Sequence, residues 1–371
     1  MLLQASKAAS ENEKEILIKE IISKLTLKEK IGQLFIIRPE SLDPSLNCEQ
    51  VESLYEYGCK NISPQMKSFY NEYPAGGFII FGKNIASPSQ LKNLNDSIHS
   101  LSPLYPLIYT DEEGGRVTRL ARVKRLHIKK TPPMAEIGET QNPQKAYIAA
   151  FKISKYLKKY KIDVDFAPVA DINSNPKNKV IGDRAFSSDP TSAGEMLVSF
   201  IKGLNANGFQ GCLKHYPGHG DTENDTHHGY AETKKTWQEL LDCELISFKA
   251  GIECGTNFIM TAHISAPKIT GDTIPATLSI ELLENLRNEL NYKGVIVSDA
   301  MNMGAIKNNF ENDESTVLAI LAGINCILMP FDYRSSFEAV LKAVEEGLIS
   351  EKRIDYSVER ILKTKISALS S

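Results

Sequence analysis

Sixteen consecutive residues carry an unusual density of groups able to move protons: Lys214-His215-Tyr216-Pro217-Gly218-His219-Gly220-Asp221-Thr222-Glu223-Asn224-Asp225-Thr226-His227-His228-Gly229. Four of the seven histidines fall here, with three carboxylates and a lysine. Imidazoles titrate near neutral pH, so this stretch can both give and accept protons under ordinary conditions. Asp225 and His227 stand two apart. A carboxylate beside an imidazole holds its tautomer and tunes its basicity. A polar surface turn explains one such histidine well, but not four within fourteen positions. A metal site is a second possibility. His215, His219, His227, His228 and Asp221 could all supply ligands. Pro217 and Gly218 lie between His215 and His219, however, and exclude the helical i, i+4 pair of an HExxH site.

Such residues need a scaffold, and the chain offers a regular one. The mostly apolar run 209–213 leads into the histidine stretch, which reads as a buried strand opening into a polar loop. Eight runs of this kind recur, at 32–37, 76–81, 107–110, 164–169, 211–216, 258–262, 294–298 and 326–329. Most are rich in Val, Ile, Leu, Phe and Ala, as strands buried on both faces should be. Helical patterns separate most of them, at 88–100, 143–160, 191–208, 236–255, 280–290 and 314–323, and two more come after the last run at 333–347 and 351–370. Eightfold strand–helix alternation points to an α/β fold, a single-domain (β/α)8 TIM-type barrel, with an open doubly wound sheet as the alternative. A helical extension covers 1–24 and the barrel domain 25–371; Thr26 to Glu29 is a capping box at their junction. The segment 38–74 is long for a barrel loop and reads as a partly helical insertion.

In a barrel the active site lies at the C-terminal ends of the strands. Polar residues just past each run are then candidates for the site: Asp111, Glu112, Glu113 and Arg116 after the third, Asp171, Asp183 and Arg184 after the fourth, Lys214 and His215 in the fifth, His263 after the sixth and Asp299 after the seventh. Asp299 alone reads equally as a helix cap or a nucleophile.

Composition narrows the classes further. A net charge of −3 argues against a nucleic-acid partner, and the basic run 116–130 reads as a solvated face. No apolar segment approaches the ~18–20 residues of a membrane span. The first fourteen residues lack the apolar core of a signal peptide, so a cytoplasmic location is expected. The six cysteines are scattered without a CxxC and read as small buried hydrophobes, although Cys48 and Cys59 could pair in an oxidising compartment.

The motif from Lys214 to Thr222, continued by Asp225-Thr226-His227, resembles the signature of the β-N-acetylglucosaminidase branch of glycoside hydrolase family 3. Gly294 to Met301 resembles that family's nucleophile segment. Supporting matches are Asp111 to Val117, Phe166 to Asp171, Ile181 to Arg184, Met260 to His263 and Pro275 to Ser279, so the resemblance spans residues 25–365. It implies a retaining exo-β-N-acetylglucosaminidase, a β-hexosaminidase of the bacterial cell-wall recycling type. Asp299 would be the nucleophile, and His227 the acid/base with Asp225 as its partner. Asp111, Arg119, Arg184, Lys214 and His215 would hold the terminal sugar. The expected substrate is a glycan or muropeptide ending in β-linked N-acetylglucosamine, with no metal or other cofactor and a monomeric enzyme. Glu112 stands where the family more often has Gln, which would add a negative charge near the sugar. The glycines of the histidine stretch would let it close over the bound sugar.

The alternatives are a β-N-acetylglucosaminide phosphorylase, a β-glucosidase of the same family, a metal-dependent hydrolase using the histidine cluster, and a sugar-binding protein without catalysis. The combination of Asp299, Asp225 and His227 argues against the last, since binding alone does not need them.

Overall fold

Each of the eight apolar runs becomes one short strand. The computed structural model describes residues 2–7, 10–222 and 231–370. The strands are β1 (Phe35–Ile37), β2 (Gly77–Ile79), β3 (Leu107–Thr110), β4 (Val164–Asp165), β5 (Gln210–Tyr216), β6 (Phe258–Thr261), β7 (Val295–Val297) and β8 (Ile327–Leu328). All pair in parallel with their sequence neighbours, and β8 returns to β1. A parallel bridge from Val297 to Cys326 and the Ser298 N–H donating to the Cys326 carbonyl at 2.9 Å close the ring. The result is the (β/α)8 barrel that the alternation predicts, not an open sheet.

Several boundaries differ from the sequence reading, three of them for local reasons. Thr26 and Glu29 do form a reciprocal capping box, and the helix it starts runs on through Gly32 and Gln33, so β1 begins only at Phe35. β4 covers only Val164–Asp165; backbone bonds continue from the Phe166 N–H to the Thr110 carbonyl at 2.8 Å and from the Cys212 N–H to the Ala167 carbonyl at 2.9 Å, miss Pro168, which has no N–H, and are followed by the Val169–Lys214 bridge. The pattern at 236–255 becomes two helices, Trp237–Leu241 and Glu244–Glu253, broken where Cys243 leaves helical geometry. The insertion is partly helical, with a 3-10 turn Pro39–Leu42 and helices Cys48–Glu52 and Pro64–Glu72.

Buried aromatic rings from β3, from the residue after β4 and from β6 meet at one point. Tyr109 lies against Phe166 at 5.2 Å and against Phe258 at 5.9 Å between centroids. Gly77 leaves room for this: a Cβ there would sit 2.5 Å from the Tyr109 ring. Burying rings of this size contributes about 1.5–3 kcal/mol each. Outside the barrel, Leu27–Gln33 packs on the long helix Glu351–Leu369, where Lys30 pairs with Glu351 at 2.7 Å and Asp355 at 2.9 Å. The helix Glu11–Lys24 packs on the same partner. Among the described residues no helix is long and apolar enough to cross a membrane. All six cysteines, Cys48 and Cys59 included, are free thiols.

Lys365, on that long helix, is fully buried beneath the barrel, with Gln33 Oε1 at 2.7 Å and the Leu104 carbonyl at 3.1 Å. Burial pulls its pKa down to about 7. The unfolded chain therefore binds a proton there that the folded chain releases. The cost to folding is present in full below about pH 7 and fades as pH rises toward the ordinary value of 10.5. Lys365→Met is expected to raise unfolding free energy by about 1–3 kcal/mol at pH 6 and by less at pH 9. Denaturant titrations of both proteins at the two pH values check this; parallel pH curves would contradict it.

Candidate active site

The C-terminal ends of the strands open into a cleft of about 920 Å³, within the ~300–1,000 Å³ range of small-molecule sites. Asp111 and Glu113 reach it from the end of β3, Arg184 from the loop after β4, Lys214 and His215 from β5, and Asp299 from the tip of β7. The β5–β6 register shifts between Leu213 and Tyr216, a bulge that re-aims Lys214 and His215 into the mouth.

Buried ion pairs hold the floor together. Lys214 Nζ donates to Asp111 Oδ1 at 2.9 Å and lies 2.6 Å from Glu113 Oε1. Arg184 grips Glu113 with two parallel bonds, Nε to Oε2 and Nη2 to Oε1, each 2.9 Å. Arg119 Nη2 donates to Asp111 Oδ2 at 2.9 Å. Burial alone would raise both carboxyls. Arg184 and Lys214 nonetheless hold Glu113 far below the usual range, and Lys214 and Arg119 keep Asp111 low. The same pairs keep Lys214 and Arg184 firmly charged against the desolvation that opposes it.

A second carboxylate organises the β5 strand end. Asp171 Oδ2 lies 2.7 Å from His215 Nδ1, and Asp171 Oδ1 accepts the backbone N–H groups of His215 at 3.1 Å and His219 at 2.7 Å. His215 Nδ1 is thereby the donor, which turns Nε2 toward Arg184 Nη2 at 3.4 Å. Burial opposes ionisation of Asp171, but His215 draws its pKa below the ordinary value. His219 bonds Thr222 Oγ1 at 2.7 Å through Nδ1, and burial pushes it toward the neutral form.

Asp299 is held less tightly. Its Oδ1 accepts the Ala300 N–H at 2.7 Å, and its own N–H donates to the Thr261 carbonyl at 3.2 Å. His263 supports this turn from behind, with Nε2 3.0 Å from the Ala300 carbonyl and Nδ1 2.8 Å from Thr277 Oγ1. A half-buried carboxylate with one local hydrogen bond among the described residues faces a cleft whose other described acids are tied to cations, which suits it to act as a nucleophile.

The family model for the glycosyl hydrolase family 3 N-terminal domain matches residues 26–364. The chain belongs to this family. It is 30% identical over 372 residues to β-hexosaminidase A of Pseudoalteromonas piscicida, covering 92% of this chain and 61% of that protein. It is 36% identical over 270 residues to a β-hexosaminidase of Nitrosomonas eutropha, covering 71% and 76% of the two chains. A solved glycoside hydrolase family 3 β-N-acetylglucosaminidase from Paenibacillus sp. str. FPU-7 superposes with a TM-score of 0.84 at 33% identity, over 94% of this chain and 64% of that one. The chain thus spans under two thirds of the length of the first and last of these relatives.

In this family member, Asp111, Arg119, Arg184, Lys214, His215 and Asp299 all line one cleft. Asp225 and His227 lie outside the described residues. Among those described, no group of three or more metal-ligating side chains converges; His228, like His227, lies outside them. Glu113 and Asp171 carry no assigned role in the sequence reading, yet they orient three of the expected sugar-binding groups, Lys214, Arg184 and His215. Strand alternation was the available signal for Glu113: in extended backbone, residues two apart share a side.

That alternation also corrects the expectation for Glu112. It is buried on the far side of the segment and adds no charge to the cleft. Its carboxylate accepts the N–H groups of Arg119 at 2.9 Å, Leu120 at 2.7 Å and Ala121 at 3.1 Å, and the Tyr156 hydroxyl at 3.0 Å, so it fixes the turn that presents Arg119. Arg116 is exposed, as expected of a solvated face, and there it pairs with Asp183 at 2.7 Å and bonds the carbonyls of Lys179, Val180 and Ile181. Two glycines of the histidine stretch are required by packing. A Cβ on Gly218 would lie 2.6 Å from the Glu244 side chain, and one on Gly220 would lie 1.7 Å from the Ile172 carbonyl.

Glu113→Gln leaves Lys214 and Arg184 facing a neutral group and is expected to cost about 3–5 kcal/mol. Because the folded pKa of Glu113 is depressed, its contribution is complete above about pH 4.5 and is lost as pH falls. Unfolding curves between pH 7 and pH 3 should therefore show a smaller acid loss in the variant. An unchanged acid slope would argue against the network.

Proposed function

We propose that this protein is a retaining exo-β-N-acetylglucosaminidase. The observation that carries the reading is the state of the acids around Asp299. Asp111, Glu113 and Asp171 are each drawn below the ordinary carboxylate range by Lys214, Arg184, Arg119 or His215. None can serve as the protonated acid that a two-carboxylate glycosidase needs. The family resemblance assigns the proton donor to His227, in the histidine stretch that starts from the same strand end, and the ionised state of these three acids supports that assignment. The β-hexosaminidase names of the relatives support the acetamido sugar.

The reaction has two steps. Asp111, Arg119, Arg184, Lys214 and His215 hold the hydroxyls and acetamido group of the terminal sugar in fixed, charged hydrogen bonds. A carboxylate oxygen of Asp299 attacks the anomeric carbon while His227 protonates the departing glycosidic oxygen. The bond to the leaving alcohol breaks and a glycosyl–Asp299 ester forms. His227, now neutral, takes a proton from water, which attacks the same carbon and frees Asp299 with net retention. Asp225 stabilises the imidazolium form. A histidine acid/base also avoids a second negative charge beside the nucleophile. The substrate proposed is a peptidoglycan-derived fragment ending in β-linked N-acetylglucosamine, processed in the cytoplasm by a monomeric enzyme whose catalytic domain spans 25–371 behind a helical extension.

The test compares p-nitrophenyl β-N-acetylglucosaminide with p-nitrophenyl β-glucoside, in chelator, with and without phosphate. Wild type should release nitrophenol from the acetamido substrate alone and yield free sugar in either buffer. Asp299→Ala should abolish release, and His227→Ala should lower kcat/KM for a natural glycoside by roughly 10²–10⁴. Loss of activity in chelator, glucoside cleavage, or a sugar phosphate product would each replace this reading with a different one.

A further inference from the structure

None of the residues assigned to the terminal sugar lies in the insertion between β1 and β2, yet the insertion forms one wall of the cleft. Glu52 and Leu54 both line it. Buried charged groups lock its base. Arg38 Nη1 donates to the Val51 carbonyl at 2.7 Å and Lys83 Nζ to the same oxygen at 3.0 Å. Glu40 Oε1 accepts from the Cys59 N–H at 2.7 Å and from Asn84 Nδ2 at 2.6 Å. The tip between these anchors is apolar and open to solvent. Leu54 is 55% exposed, Tyr55 87% and Tyr57 48%. Three large hydrophobics within four residues make a local patch, unlike a single exposed side chain.

The wall links the sugar site to the near edge of this patch, where Leu54 lines the cleft and Tyr55 and Tyr57 follow it in the chain. Arg119, which holds Asp111, lies over the Phe81 ring at 5.1 Å, and Arg38 lies over the same ring at 4.8 Å. Arg38 then grips Val51, next to Glu52 and close to Leu54. Two buried polar atoms along this wall, Arg38 Nε and Glu52 Oε1, have no hydrogen-bond partner among the described residues. Arg38 itself is only 4% exposed. A donor and an acceptor left open beside an apolar platform are what a carbohydrate ring requires: C–H faces for the aromatic and aliphatic surface, hydroxyls for the polar atoms.

We propose that the insertion builds a second sugar subsite, in which Leu54, Tyr55 and Tyr57 receive the ring next to the terminal sugar, with Arg38 and Glu52 meeting its hydroxyls. This rests on the function proposed above and deepens it. The preferred substrate is then a β-linked oligosaccharide of amino sugars, in contrast to a glycoside with a small alkyl leaving group.

The experiment compares wild type with the triple variant Leu54→Ser/Tyr55→Ala/Tyr57→Ala on N,N′-diacetylchitobiose and on methyl β-N-acetylglucosaminide. The methyl group is too small to reach the platform. The variant should lose roughly tenfold in kcat/KM on the disaccharide and keep its value on the methyl glycoside. Equal values on both substrates, or a parallel fall on both, would overturn the subsite and leave the function standing. Cleavage of neither substrate by wild type would overturn the function and the subsite together. Gel filtration of both proteins accompanies the kinetics: a wild-type dimer that the variant loses, with kinetics unchanged, would assign the patch to a second copy of the chain.

Discussion

Everything at the mouth of this barrel depends on keeping two carboxylates and two cations buried together. Isolated, any one of Asp111, Glu113, Arg184 or Lys214 would be expensive to place where water is scarce. Together, the bidentate Arg184–Glu113 pair and the lysine that bridges Glu113 to Asp111 satisfy one another at hydrogen-bonding distance. The arrangement needs side chains from β3, from the loop after β4 and from β5, so it can exist only once those three strands have taken adjacent places. Site and fold are in this sense one construction.

The network also decides which chemistry is left open. By holding its acids ionised, it lines the cleft with a rigid charged cradle and removes these carboxylates as proton donors. Asp299 stands apart, with a single local hydrogen bond to its carboxylate among the described residues and His263 fixing the neighbouring carbonyl. Asp171 fixes the tautomer of His215 and ties down the backbone where the histidine stretch begins. Each group thus has one assigned task, set by what lies beside it. Glu112 shows the same rule from the other direction: an acid adjacent in sequence to two site carboxylates faces away and holds a turn by its backbone amides.

The barrel itself was legible because its signal is redundant. Eight apolar runs, each with a turn and a helical pattern, agree on one architecture even where single boundaries are wrong. Three of the misplaced boundaries have local causes: a capping box that extends a helix past Gly32, Pro168 leaving a gap in the backbone bonds after β4, and Cys243 leaving the helix pattern at 236–255. Asp299, Lys214 and His215 could be picked out because barrel geometry puts the residues after each strand on one face. Arg119 came from the family motif alone, because it lies eight residues beyond Asp111 on a turn whose shape no periodicity reports.

The sequence by itself therefore determined the strand order, the end of the barrel that carries chemistry, and the residue types available there. Those come from local hydrophobic periodicity and from the position of polar residues relative to it. Only the tertiary structure decided which carboxylate meets which cation, since Glu113 and Arg184 are 71 positions apart and Asp111 and Lys214 are 103. It also decided that Glu112 turns away while Glu113 turns in, and that the insertion after β1 reaches the cleft. Pairings over such distances are set by the closure of the barrel, and closure is a property of all eight strands together, which no local stretch of sequence encodes.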